Sequence, residues 1–93
     1  MLTKEGEVIQ YLLGHEIARK ILNYLKQRKT ATTYQIAVAI GQTAKDIQAE
    51  LDTLTEYGVI KSEEDLELET VSYLITASGH QLATKIWQEY TKS

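Results

Sequence analysis

"TTYQIAVAIGQTAKDIQAELDTLTEYGVI", Thr32 to Ile60, holds two short amphipathic segments separated by a glycine. Thr32 stands where a helix wants an N-cap hydroxyl, and Gln35, three residues on, can reach back to complete a capping box. Ile36, Ala37 and Ile40 then face inward, and Gly41 supplies the stop that a left-handed C-cap favours. The next segment repeats the logic. Thr43 caps, Asp46 is placed to close a second box, Ile47, Leu51 and Leu54 form the apolar stripe, and Gly58 ends the helix. Two helices joined by a turn of about three residues have the spacing of a helix-turn-helix.

Upstream, "HEIARKILNYLKQRK" places Ile17, Ala18, Ile21, Leu22 and Leu25 on one face of a helix with a basic end, the polarity its dipole prefers. In "EVIQYLLG", Val8, Ile9, Leu12 and Leu13 recur at helical offsets, which favours a helix; a strand over Glu7 to Leu13 is the other reading. Downstream of Gly58 the period changes. "VIKSEEDLELETVSYLIT" offers Val59, Ile60, Val71, Tyr73 and Ile75 as strand positions around a polar turn, predicting a β-hairpin with its tip within Glu64 to Thr70. The closing "TASGHQLATKIWQEYTKS" predicts a helix capped by Thr76, with Leu82, Ala83, Ile86, Trp87 and Tyr90 on its apolar side.

The chain has 93 residues, 43% apolar and 25% charged, and no proline or repeat marks a linker. A single domain is expected, with an N-terminal extension over 1–13, a core over 14–76 and a C-terminal helix over 77–93. A core this small gains from a partner's interface, so a dimer is anticipated. The absence of cysteine removes disulfides, thiolate metal sites and thiol nucleophiles. Two histidines, His15 and His80, are too few for a convincing metal cluster, and no nucleophile and base are paired in the sequence, so no enzyme, metal or cofactor is expected. Apolar runs are far shorter than the ~20 residues that span a bilayer, and no leader-like architecture follows Met1, so the expected location is the cytoplasm, without a membrane partner.

The order helix, helix, helix, hairpin, helix resembles a winged helix-turn-helix, an α+β, mainly helical fold with a three-helix core, a two-stranded β-hairpin wing and a C-terminal helix. Three stretches carry the resemblance to small prokaryotic regulators of the ArsR and MarR-like kinds. "LGHEIARKILNYL" is similar to their first core helix, the opening quotation to their helix-turn-helix, and "YLITASGHQLA" to their wing exit. The resemblance implies a sequence-specific, homodimeric regulator of transcription that binds double-stranded DNA. Its recognition helix would be Thr43 to Tyr57, with Ala44, Lys45, Gln48, Ala49 and Asp52 outward. Lys45 suits a guanine edge or a phosphate, Gln48 an adenine, and Ala49 at most a thymine methyl. Thr43 and the helix-start amides suit a phosphate, as do Thr33, Tyr34 and Gln35 one helix earlier. Thr43 and Gln35 can also act simply as caps. Arg28, Lys29 and Lys61 would add positive charge, and two recognition helices about one duplex turn apart would read a palindrome.

The hairpin tip departs from that pattern. "SEEDLELET", Ser62 to Thr70, carries five carboxylates and no cation, in a chain whose net charge is −3. A like-charge contact at ~4 Å costs on the order of 1 to 4 kcal/mol, so such a wing would be repelled by phosphate. It either stays in solvent, where its charges discourage strand pairing with other chains, or meets a basic protein partner. The dimer surface is expected on residues 2–13 and 80–91, through Val8, Ile9, Leu12, Leu82, Ile86, Trp87 and Tyr90, because a compact core would leave those apolar faces uncovered.

Overall fold

A computed structural model describes the backbone of residues 2–90 and the side chains of residues 5–86. Five helices and three strands follow in the order α1 (Leu2–Gly14), α2 (Glu16–Arg28), β1 (Thr30–Thr32), α3 (Thr33–Ile40), α4 (Ala44–Glu56), β2 (Ile60–Asp65), β3 (Thr70–Ile75) and α5 (Ala77–Tyr90). This is the winged helix-turn-helix anticipated from the sequence.

The first segment is a helix, and burial explains why. Val8 and Leu12, four apart, enter the core while Gln10 stays exposed; a strand would have put all three on one side. In α2, Ala18, Ile21, Leu22 and Leu25 are buried as their spacing requires. The helix-turn-helix is set by its caps. Gln35 N donates to Thr32 Oγ1 at 3.1 Å, and Thr32 N donates to Gln35 Oε1 at 3.0 Å, completing the box. Gly41 ends α3 at φ 74°, a conformation that glycine adopts without strain. Thr43 Oγ1 accepts from Asp46 N at 3.1 Å. The reciprocal bond expected from Asp46 is not made among the described residues; the carboxylate instead stands in the first turn of α4, facing the positive end of the helix dipole.

The sheet has one strand more than the hairpin. Its order is β1-β3-β2, both pairings antiparallel. In the wing Ile60 faces Ile75 and Asp65 faces Thr70; on the other edge Thr30 faces Leu74 and Thr32 faces Ser72. The sequence hides β1 because three residues with a single apolar side chain, Ala31, show no alternation; tertiary pairing makes the strand. At the wing tip Asp65 Oδ1 accepts from Glu67 N at 3.0 Å and Leu68 N at 3.1 Å, an Asx-type turn that lies where the tip was anticipated.

At the root of the hairpin, Gly58 (φ 79°) turns the chain out of α4. Its carbonyl accepts from Thr76 Oγ1 at 2.7 Å and Ser78 Oγ at 3.2 Å, while Thr76 N donates to Val59 O at 3.0 Å. Thr76 Oγ1 also accepts from Gly79 N at 3.1 Å, the cap expected for the last helix.

One core joins all five helices to the sheet, with Leu12, Ile21, Leu25, Ile36, Ile47, Leu51, Leu54 and Ile60 among its largest fully buried side chains. Each such side chain contributes roughly 1.5–3 kcal/mol through burial. The core corrects the reasoning behind the expected dimer surface. Val8, Leu12, Leu82 and Ile86 are only 2%, 0%, 7% and 6% exposed within one chain, because α1 and α5 both lie on α2. Ile9 packs against the same core while partly exposed. Trp87 and Tyr90 fall on α5, but their side chains lie outside the described residues.

Candidate nucleic-acid interface

Helix α4 buries Ile47, Leu51 and Leu54 completely, so its opposite face, Lys45, Ala49, Asp52 and Glu56, is solvent-exposed. Lys45 sits in the first turn and makes no ion pair among the described residues. Ala44 and Thr43 are exposed beside it. Tyr34, 73% exposed, and Gln35 stand in the first turn of α3, which packs on α4; Thr33 is half-buried next to them. The first turns of both helices therefore present exposed side chains, while Gln35 N and Asp46 N already donate to their capping threonines.

The flanks of α4 differ from the sequence expectation. Gln48 is half-buried, and its Nε2 donates to Asp52 Oδ1 at 3.0 Å and to the Tyr73 hydroxyl of the wing at 3.3 Å. Both amide hydrogens are thus engaged, and the adenine contact expected of Gln48 requires Nε2 to leave the wing first. On the other flank the Tyr11 hydroxyl of α1 donates to Glu50. Burial, then the hydrogen bond to Glu50 and that residue's charge, push the Tyr11 phenol up to about 12. Neither Tyr11 nor Tyr73 was expected to take part in this region. The available signal was an aromatic ring with a polar tip at the edge of an apolar stripe, a residue that usually finds a hydrogen-bond partner when buried.

The other cations are dispersed. Arg28 and Lys29 are exposed at the end of α2, with the Arg28 guanidinium 5.7 Å from the Tyr24 ring centroid. Thr30, the next residue, shares a shallow open concavity with Glu63, Glu64 and Asp65, which puts the end of this basic stretch beside the acidic wing. Lys61 is exposed on β2 opposite Leu74. The wing itself carries two apolar side chains in water, Leu66 at 81% and Leu68 at 70% exposure.

Between α1, α2 and α5 lies a cavity of about 230 Å³ with Leu12, Leu22, Ala83 and Ile86 on its walls and Glu16 and Arg19 among its lining. Arg19 is already committed: its Nη1 donates to the carbonyls of Leu12 and Leu13, each at 2.6 Å, and so closes the end of α1. Among the described residues no three His, Asp or Glu side chains are grouped to hold a metal ion, and no helix is long and apolar enough to cross a membrane.

No protein-family description matches the sequence, and no curated protein does. Solved structures match throughout. A transcriptional regulator homologue from Pyrococcus horikoshii OT3 aligns with a TM-score of 0.82 at 20% identity, over 95% of this chain and 91% of that one. MepR of S. aureus, in complex with DNA, aligns at 0.77 and 17% identity, over 98% of this chain and 77% of that one. A MarR-family transcriptional regulator from Silicibacter pomeroyi aligns at 0.76 and 12% identity; 92% of this chain spans 60% of that one. At these identities the likeness establishes the fold, a winged helix-turn-helix of the kind found in prokaryotic transcriptional regulators.

Proposed function

We propose that this chain is a transcriptional regulator that binds double-stranded DNA as a homodimer, each copy inserting α4 into a major groove. The observation that carries the reading is the open face of α4. Its buried stripe fixes the helix on the core, and Lys45 and Ala49 stand outward at its leading end. The DNA complex of the structurally similar MepR supports placing such a frame on duplex DNA. In this reading Lys45 meets a guanine edge or a phosphate, Ala44 and Ala49 admit a thymine methyl, and Thr43, Thr33, Tyr34 and Gln35 approach the backbone. Arg28, Lys29 and Lys61 supply the remaining positive charge. We assign dimerisation to the solvent side of α1, around Ile9 and the exposed Leu13, and to Trp87 and Tyr90 of α5.

Selection from a random duplex pool tests the reading directly. The expected product is an inverted repeat whose half-site centres lie about 10 base pairs apart. Failure to enrich any sequence at ~50 mM salt, where phosphate contacts are strongest, refutes it.

The exposed leucines of the acidic tip favour a second reading, a winged-helix module that docks on a basic protein. Neither side chain gains anything from solvent, and a basic partner with an apolar contact would use both features. Reversing Glu64, Asp65 and Glu67 to Lys separates the two. For a DNA regulator the reversal should tighten non-specific duplex binding by at least ~10-fold at low salt and steepen the salt dependence by about 0.9 per phosphate gained. For a protein-docking module it should abolish capture of a stoichiometric partner and leave duplex binding undetectable.

A further inference from the structure

The apolar stripe of α4 fixes the depth of the helix but not its roll. Leu and Ile side chains pack without directional bonds, and a helix seated on Ile47, Leu51 and Leu54 can turn by several degrees at little cost. Two polar contacts remove that freedom from opposite sides. Gln48 ties one flank to the wing through Tyr73, and Glu50 ties the other to α1 through Tyr11. Tyr11 is itself held in place. Its ring stacks on His15 with centroids 4.0 Å apart and meets Tyr57, the C-cap of α4, at 5.6 Å. His15 Nδ1 donates to the Tyr11 carbonyl at 2.7 Å, and Arg19 fastens the next turn of α1 through the Leu12 and Leu13 carbonyls.

We propose that Tyr11 is a positioning residue for the recognition helix: its hydroxyl, through Glu50, sets the roll of α4 and hence how Lys45 and Ala49 meet base edges. The inference rests on α4 being the DNA-contacting helix, and it gives the N-terminal helix a part in sequence reading. Base contacts need alignment within a fraction of an ångström, whereas phosphate contacts made by flexible cations tolerate a small roll. Losing the strut should therefore lower specificity more than overall affinity.

Tyr11→Phe keeps the ring packing and deletes the hydroxyl. Relative to the wild type, the ratio of specific to non-specific duplex affinity should fall roughly tenfold, with the salt slope unchanged. Hydrogen exchange of the α4 amides in the free protein should accelerate while exchange in the β2–β3 hairpin stays as it was. Glu50→Ala should lower the same ratio, and adding Tyr11→Phe to it should lower it no further, the non-additivity of residues that act through one contact. Equal losses of specific and non-specific affinity, additive effects of the two substitutions, or unaltered α4 exchange would each overturn the proposal. If the wild-type chain selects no duplex, the DNA reading fails by itself. The exchange experiment then decides the strut, and unaltered α4 protection in Tyr11→Phe refutes it.

Discussion

Gly79→Ala is expected to destabilise the chain, because it forces a methyl group into a filled site at a cost of about 3 kcal/mol, the upper end of the usual range. A Cβ at Gly79 would lie 2.0 Å from the Val59 carbonyl oxygen, 2.8 Å from the Val59 carbonyl carbon and 3.0 Å from Ile75 Cγ1. The first two atoms are backbone, so no rotamer change relieves the contact. Val59 cannot retreat easily either, because its carbonyl accepts from Thr76 N and the preceding carbonyl, of Gly58, accepts from Thr76 and Ser78. The better helix propensity of alanine returns only about 1 kcal/mol. For a domain of this size the net loss of about 2 kcal/mol corresponds to a melting temperature lower by about 8–16 °C, readable by circular dichroism. Gly14→Ala provides the control: a Cβ there meets nothing within 4 Å, and its melting temperature should be unchanged or slightly raised. A Gly79→Ala protein that melts like the wild type would show that α5 and the hairpin root do not pack as closely as described.

Lys45→Glu should strongly weaken specific DNA binding without harming the fold. The side chain is exposed in the first turn of α4, where a carboxylate is favoured by the helix dipole, so the melting temperature should hold or rise slightly. Against duplex DNA the substitution removes an attractive contact and introduces a repulsive one. The expected loss is on the order of 100-fold at low salt, with the salt slope shallower by about 0.9. Fluorescence polarisation on the selected site across a salt series reads both quantities. An unchanged affinity would remove α4 from the interface and turn attention to the wing.

Much of the architecture was legible because it is written in local chemistry. Thr32, Gln35 and Gly41 delimit α3, Thr43 starts α4, and the stripe Ile47, Leu51, Leu54 gives its inner face; each signal lies within a few residues of what it specifies. The hairpin announced itself by β-branched and aromatic residues on both sides of a polar tip. What stayed hidden depends on residues distant in sequence. Strand β1 exists because Ala31 meets Tyr73, and the burial of Val8 and Leu12 exists because α1 folds back on α2. The candidate site followed the same division. Lys45 and Ala49 were expected outward on the recognition helix that the resemblance implied, and Tyr34 as a phosphate contact one helix earlier; all three side chains are exposed. Gln48 was expected outward too, yet the wing's Tyr73 claims its amide, and the Tyr11–Glu50 contact links residues 39 apart in sequence.

Strand β1 also bears on the order in which the molecule assembles. Thr30 to Thr32 pair with Ser72 to Leu74 across a loop that contains both helices of the helix-turn-helix and one strand of the hairpin. Three residues cannot hold an extended conformation alone, and closing so long a loop costs entropy that only the finished β3 can offset. Helices α2 to α4 are built from near neighbours and can gather early, whereas the sheet must wait for Thr70 to Ile75. During synthesis, Ala31 remains without its β3 partner until that strand has emerged, so β1 joins the sheet only after the helix-turn-helix that separates the two strands has been made.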